Sequence, residues 1–165
     1  MSVILIGMPS CGKSTLGVLL AKRLGYRFID TDLLIQEREG MLLHEIIEKK
    51  GIDEFLKIEN EVNASVCDTR AVISTGGSAI YGKEAMESLS RIGKIVYLEI
   101  SLDTMLDRLG DYTHRGVVIR DGHTLKDMYN ERKPLYEAFA DATVCVEHTD
   151  ISTTLDRILT LICEK

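Results

Sequence analysis

The segment Gly7-Met8-Pro9-Ser10-Cys11-Gly12-Lys13-Ser14 satisfies G-x-x-x-x-G-K-[ST] at every fixed position. Its chemistry would be the binding of a polyphosphate. Such an anion needs several N–H donors converging on one point, and a loop wrapped around it supplies them. Glycines at 7 and 12 let the backbone approach closely and adopt dihedrals that side chains resist. A helix beginning near Lys13 would aim unpaired N–H groups and its positive end at the phosphates. Lys13 can reach the β/γ oxygens, and the Ser14 hydroxyl can ligate Mg²⁺. Gly7, Pro9, Ser10, Cys11, Gly12, Lys13, Ser14 and Thr15 are the candidate nucleotide contacts; a chemically silent glycine turn is the plain alternative.

Asp30-Thr31-Asp32 places two carboxylates two residues apart, an arrangement that is costly unless cations or hydroxyls meet them. One suits a water-mediated Mg²⁺ contact, and the other can accept the proton of an attacking alcohol. Thr31 or Asp32 as a helix N-cap before Leu33-Leu34-Ile35 explains the same residues without chemistry, and spacing alone leaves both readings open. Gly76-Gly77-Ser78 reads equally as a close approach to a ligand or as a tight turn. The stretch from Gly110 to Gly122 gathers His114, Arg115 and Arg120, with His123 just beyond. It fits an arginine-bearing lid or an ordinary solvated loop. Glu99 reads as a plain strand-end acid, and Asp107-Arg108-Leu109-Gly110 as a chance D-x-x-G. Neither an Asn-Lys-x-Asp guanine reader nor an LSGGQ-like stretch occurs, which argues against a switch GTPase or a transporter ATPase. Cys11 sits near a helix N-terminus that would favour its thiolate, although an inert thiol is the simpler expectation.

The elements that must position these residues follow from hydrophobic periodicity. Apolar runs predict strands at 2–6, 26–29, 71–74, 94–100 and 142–146. Helical spacing predicts helices at 13–24, 31–38, 42–50, 52–68, 83–92, 102–109, 124–139 and 151–163. Phe55, Ile58, Val62 and Val66 mark one face of the fourth, and Pro134 marks a kink or boundary in the seventh. Strands alternating with helices imply a parallel sheet covered on both faces, with ligands beyond the carboxyl ends of its strands. The candidate residues fall there, after the first, second and third strands.

A length of 165 residues fits one domain, and 45% apolar with 28% charged residues is ordinary for a globular protein. No apolar run approaches the ~20 residues of a spanning helix, so neither membrane segment nor targeting leader is expected. A net charge of −6 with no dense basic run argues against nucleic acid and anionic membranes as partners. Four scattered cysteines match neither a disulfide framework nor a metal site, and suggest reduced thiols in the cytoplasm. No long apolar seam points to an obligate partner, so a monomer is expected.

Taken together, the chain resembles the shikimate kinases, small enzymes that phosphorylate a ring hydroxyl of shikimate with ATP. The resemblance runs from the first strand to about Val146. It implies a three-layer α/β/α fold around a five-stranded parallel sheet, of the P-loop, nucleoside-monophosphate-kinase type. Residues 1–165 would form one domain, with 110–123 as a mobile lid and 31–66 as acceptor-binding helices. Asp30 would then serve Mg²⁺ indirectly, and Asp32 would hold the acceptor as the candidate general base. Gly76 and Gly77 would pack against the acceptor, Arg108 would stack on adenine, and Arg115 would approach the transferred phosphate. Arg132, within Arg132-Lys133-Pro134-Leu135-Tyr136, would grip the acceptor carboxylate. Lys13, Asp32 and Arg115 are thus the expected catalytic set, and ATP with a small, acidic, hydroxylated metabolite the expected partners.

Three departures fall on the acceptor side. Leu56 stands where the family's Phe-Arg-x-x-Glu motif has arginine, within Phe55-Leu56-Lys57-Ile58-Glu59. Ser78 replaces a third glycine, and Gly116-Val117-Val118 replaces proline-leucine-leucine after the lid arginine. Lys57 is no simple substitute, because one residue along a helix turns the side chain by ~100°. The nucleotide residues show no such change. A kinase of another small hydroxylated metabolite and a catalytically silent nucleotide-binding regulator are the two rival readings.

Overall fold

Ser2–Ile6 forms β1, five residues buried on both faces, which is the burial that an unbroken apolar and β-branched run demands. β1 lies at the centre of a five-stranded sheet of order β2-β3-β1-β4-β5. The other strands are β2 (Arg27–Asp30), β3 (Ala71–Ser74), β4 (Gly93–Glu99) and β5 (Ala142–Cys145), and every pairing is parallel. The structure, a computed structural model, describes residues 1–112 and 116–163. Eight α-helices connect and flank the strands among those residues, confirming the expected α/β architecture. Helix α1 (Lys13–Leu24) stops where Gly25 turns left-handed and its N–H meets the Ala21 carbonyl. The remaining helices are α2 (Thr31–Glu39), α3 (Leu43–Lys50), α4 (Ile52–Ser65), α5 (Lys83–Ile92), α6 (Leu102–Leu109), α7 (Leu125–Phe139) and α8 (Ile151–Cys163).

Parallel pairing carries all the strand C-termini to one edge. Ile4 lies beside Ile73 and Ile95, and Asp30 pairs with Ser74. Gly7, Asp30 and the Thr75–Ser78 turn therefore emerge at the same edge. Two apolar clusters support it. The larger surrounds the sheet; the smaller joins Ile35, Ile46, Phe55, Ile58 and Val62 of α2 to α4 with Val118. Leu56 packs against this smaller cluster.

Several boundaries differ from the sequence expectation for local reasons. β2 starts at Arg27, because the Tyr26 N–H is taken by the Ala21 carbonyl at the end of α1. α4 ends at Ser65 rather than at 68, where the Val66 N–H turns back to the Asn63 carbonyl. Pro134 neither ends nor divides α7, which runs on to Phe139. Buried Arg132 and Tyr136 on either side of it anchor that turn by tertiary contacts. The cap of α2 is Asp30, not Thr31 or Asp32: its side chain accepts the Asp32 N–H, while Thr31 is the first helical residue.

Candidate active site

The loop between β1 and α1 is held in the conformation that the glycines were expected to allow. Gly7 has φ +150°, and a β-carbon there would lie 2.7 Å from the Leu98 carbonyl oxygen. Gly12 at φ +98° caps α1 without any side-chain bond, so the first N–H groups of the helix remain available to an anion. Ser10 also takes a positive φ, of 63°. Lys13, only 9% exposed, donates to the Gly7 and Met8 carbonyls, each at 2.9 Å, and lies 3.7 Å from Cys11 Sγ. Cys11 is buried beneath the loop.

Helix α1 and β2 meet through one hydrogen bond of direct interest. Ser14 Oγ donates to Asp30 Oδ2 at 2.6 Å and lies 3.3 Å from Ser74 Oγ, while Asp30 Oδ1 accepts from the Asp32 backbone. Asp30 thus both caps α2 and meets Ser14. A hydroxyl beside a carboxylate is a hard oxygen pair of the kind Mg²⁺ favours. No group of three or more His, Cys, Asp or Glu residues able to hold a metal occurs among the described residues. A magnesium ion here would therefore depend on nucleotide phosphates and water for most of its ligands.

Asp32 is the second carboxylate of the Asp30–Asp32 stretch. Burial, then the nearby Asp30 charge, pushes its carboxyl up to about 6, against the opposing pull of Lys13. Gly76 lies between two acids. A β-carbon there would overlap Glu59 Oε1 and sit 2.9 Å from Asp32 Oδ1. Gly77 is equally enclosed, since a β-carbon would meet Arg132 Nη1 at 3.1 Å and Pro9 Cδ at 3.3 Å. Arg132 is 2% exposed; its Nη2 donates to the Val118 carbonyl at 2.6 Å and its guanidinium lies over the Tyr81 ring. Tyr136 is stacked on Tyr97 and donates to the Gly77 carbonyl at 2.5 Å, fixing the turn against α7.

These groups surround a cavity of about 460 Å³. Pro9, Ser10, Gly12, Lys13, Ser14, Thr15 and Arg108 line its phosphate-loop side, and Asp32, Gly76, Gly77 and Arg132 its far side. Gly7, Cys11 and Asp30 support the lining from behind. Arg115 lies outside the described residues. Gly116, the next described residue, has φ +64°, a dihedral closed to proline, and lies against Leu43. Glu99 is bound to Lys133 at 2.5 Å, in keeping with a structural role.

Glu59 and Ser78 also line the cavity and were not among the expected site residues. Glu59 is 1% exposed, and Ser78 Oγ donates to its Oε2 at 2.6 Å. Burial pushes its carboxyl up to about 7; the Ser78 bond opposes this, Asp32 adds to it, and Arg132 and Lys13 oppose it. The signal was present: Glu59 interrupts the apolar face of α4 between Phe55 and Val62.

The geometry agrees with the likeness to known proteins. The family model for shikimate kinase matches residues 9–163. A shikimate kinase of Sulfurihydrogenibium sp. is 34% identical over 162 residues, covering 98% of this chain and 97% of the relative. The structure of shikimate kinase from Acinetobacter baumannii in complex with shikimate superposes with a TM-score of 0.87 at 30% identity, covering 98% of this chain and 92% of that one. Shikimate kinase from Aquifex aeolicus gives 0.83 at 34% identity, with coverages of 98% and 95%. A phosphate loop, an opposed pair of acid and arginine, and these likenesses over nearly the whole length converge: the chain belongs to the shikimate kinase family.

Proposed function

We infer that the protein transfers the γ-phosphoryl group of ATP to a hydroxyl of shikimate, forming shikimate 3-phosphate. The observation that carries this reading is the meeting of Lys13, Asp32 and Arg132 in one cavity, from three distant parts of the chain. A phosphate-loop cation, a carboxylate with an elevated pKa and a buried guanidinium supply charge neutralisation, proton acceptance and carboxylate recognition.

In this reaction the acceptor oxygen attacks the γ-phosphorus in line, and the bond to the β–γ bridging oxygen breaks, releasing ADP. Asp32 accepts the hydroxyl proton. Lys13 offsets negative charge that spreads over the phosphoryl oxygens, assisted by Arg115 from the 110–123 segment acting as a lid. Arg108 stacks on adenine; Gly7, Pro9, Ser10, Cys11, Gly12 and Thr15 shape the loop that receives the phosphates. Gly76 and Gly77 let the acceptor ring approach, helices 31–66 frame it, and Arg132 binds its carboxylate. Ser14 and Asp30 would hold Mg²⁺, which supplies charge neutralisation at the β- and γ-phosphates. ATP consumption and reduced cysteines both suit a cytoplasmic enzyme.

A coupled assay of ADP release tests the reading. ADP should appear with a saturable dependence on shikimate, and Lys13→Met should lower its rate by at least about 10²-fold. ADP release indifferent to shikimate would contradict it.

A further inference from the structure

Glu147, just past the end of β5, plays no part in the reaction described above. Its Oε1 accepts twice from Ser101, from the backbone N–H at 2.8 Å and from Oγ at 2.6 Å. Ser101 is the N-cap of α6, and its Oγ also accepts the Thr104 N–H at 3.2 Å. The Ser101 and Thr104 hydroxyls hold the Glu147 carboxyl down at about 2, so it is an anion at neutral pH and sits at the positive end of the helix. A carboxylate that spends this much of its hydrogen bonding on one helix end fastens that end.

The fastening joins a rigid part to a lightly held one. Glu147 is fixed by the sheet: Cys145 pairs with Glu99, and the Val146 N–H donates to the Glu99 carbonyl. Helix α6 buries Met105 and Leu109 and packs chiefly on α7. Arg108 stands in its last turn and lines the phosphate-loop side of the cavity. A helix rises ~1.5 Å per residue, so Arg108 lies about 10 Å along the axis from Ser101, and a tilt of roughly 10° would carry it about 2 Å. Apolar contact along one face leaves such a tilt open, and the Glu147 bonds oppose it.

Resting on the kinase reading above, we propose that Glu147 is a positioning residue for nucleotide binding: by tying the start of α6 to the end of β5, it sets the place of Arg108 against the adenine base. It acts through Arg108 and touches neither substrate itself. The acceptor half of the cavity, with Asp32, Gly76, Gly77 and Arg132, is built from other elements.

The test is a double-mutant cycle on the full chain, read by the dissociation constant of ATP from calorimetry, with kcat and the KM for shikimate measured alongside. Arg108→Ala and Glu147→Ala should each weaken ATP binding at least about fivefold. In the Arg108→Ala background, Glu147→Ala should add less than about twofold. A loss there as large as in the unaltered chain overturns the proposal, and so does an unchanged ATP affinity in Glu147→Ala. In Glu147→Ala, kcat at saturating ATP and the KM for shikimate should stay within about threefold of the unaltered chain. A lower kcat and a higher shikimate KM alongside the loss of ATP affinity would show a general loss of structure and contradict the proposal. Glu147→Gln keeps an acceptor oxygen for Ser101 and should bind ATP within about threefold of the unaltered chain; glutamine as poor as alanine overturns the positioning role. Normal ATP binding in Arg108→Ala would refute the adenine contact and the proposal with it, without touching the kinase reading. ADP release indifferent to shikimate in the unaltered chain would refute the kinase reading, while the cycle on ATP affinity would still decide the role of Glu147.

Discussion

The two ends of the cavity are built in different ways. At the proposed phosphate end the available groups are mostly backbone: N–H groups at the start of α1, with Gly7 and Gly12 turned through positive φ. They lie within one contiguous stretch, and a substitution there meets backbone, as at Leu98. At the proposed acceptor end the lining groups are the side chains of Asp32, Glu59, Ser78 and Arg132, from three helices and one turn, alongside Gly76 and Gly77. Their positions depend on one another, since Gly76 separates two acids and Tyr136 ties Gly77 to α7. Backbone sites tolerate little change and are shared by enzymes with many acceptors. Side-chain sites can be retuned one residue at a time, and Ser78 and Gly116 line the cavity there, whereas Leu56 packs in the apolar cluster of α2 to α4.

The difference is open to experiment. Lys13→Met should lower kcat by at least about 10²–10³-fold, the loss typical of removing one preorganised charge-stabilising donor; activity near wild type would break the assignment of the phosphate end. Gly76→Ala forces a methyl between Glu59 and Asp32, and overpacking of this kind costs roughly 1–3 kcal/mol. Acceptor KM should rise about tenfold or more while the dissociation constant of ATP stays within a fewfold, measured by steady-state kinetics and calorimetry.

Stability against pH offers a smaller effect with a definite sign. The Glu59 carboxyl is raised to about 7 in the folded protein, from an ordinary value of 4.5. Its contribution to stability is therefore fully present below pH 4.5 and is lost as pH rises through about 7. Glu59→Gln should accordingly gain stability above pH 7, on the order of 3 kcal/mol at most, with no pH-dependent gain near pH 4. Denaturant unfolding at pH 4 and pH 8 reads this directly. Leu56→Arg should give the smallest change, a gain of up to about tenfold in kcat/KM for shikimate and none for its methyl ester. An equal gain for both would mean that the new side chain acts by packing rather than by charge.

Much of this could be read from the residues, and the two ends differ in that respect too. The phosphate loop is a local motif with a strand before it and a helix after it, so its strand–loop–helix setting was legible. Five strands were legible because β1, β3 and β4 are buried on both faces and write continuous apolar runs. The cap of α2 was misplaced because Asp30, Thr31 and Asp32 are all competent caps, and only the parallel register with Ser74 decides among them. Glu59 escaped because its importance arises from Ser78, 19 residues away and on another element. Its local traces were an acid on an apolar face and its place at the end of Phe55-Leu56-Lys57-Ile58-Glu59.

The claim that one cavity joins a self-sufficient phosphate end to a separate acceptor end is tested most directly through Asp32. In Asp32→Asn, the dissociation constant of ATP by calorimetry and kcat with shikimate should be measured on the same preparation. The account predicts ATP affinity within about threefold of wild type and a kcat lower by about 10²–10⁴-fold, the range of a lost general base. An unchanged kcat, or ATP affinity and kcat falling together, would contradict it.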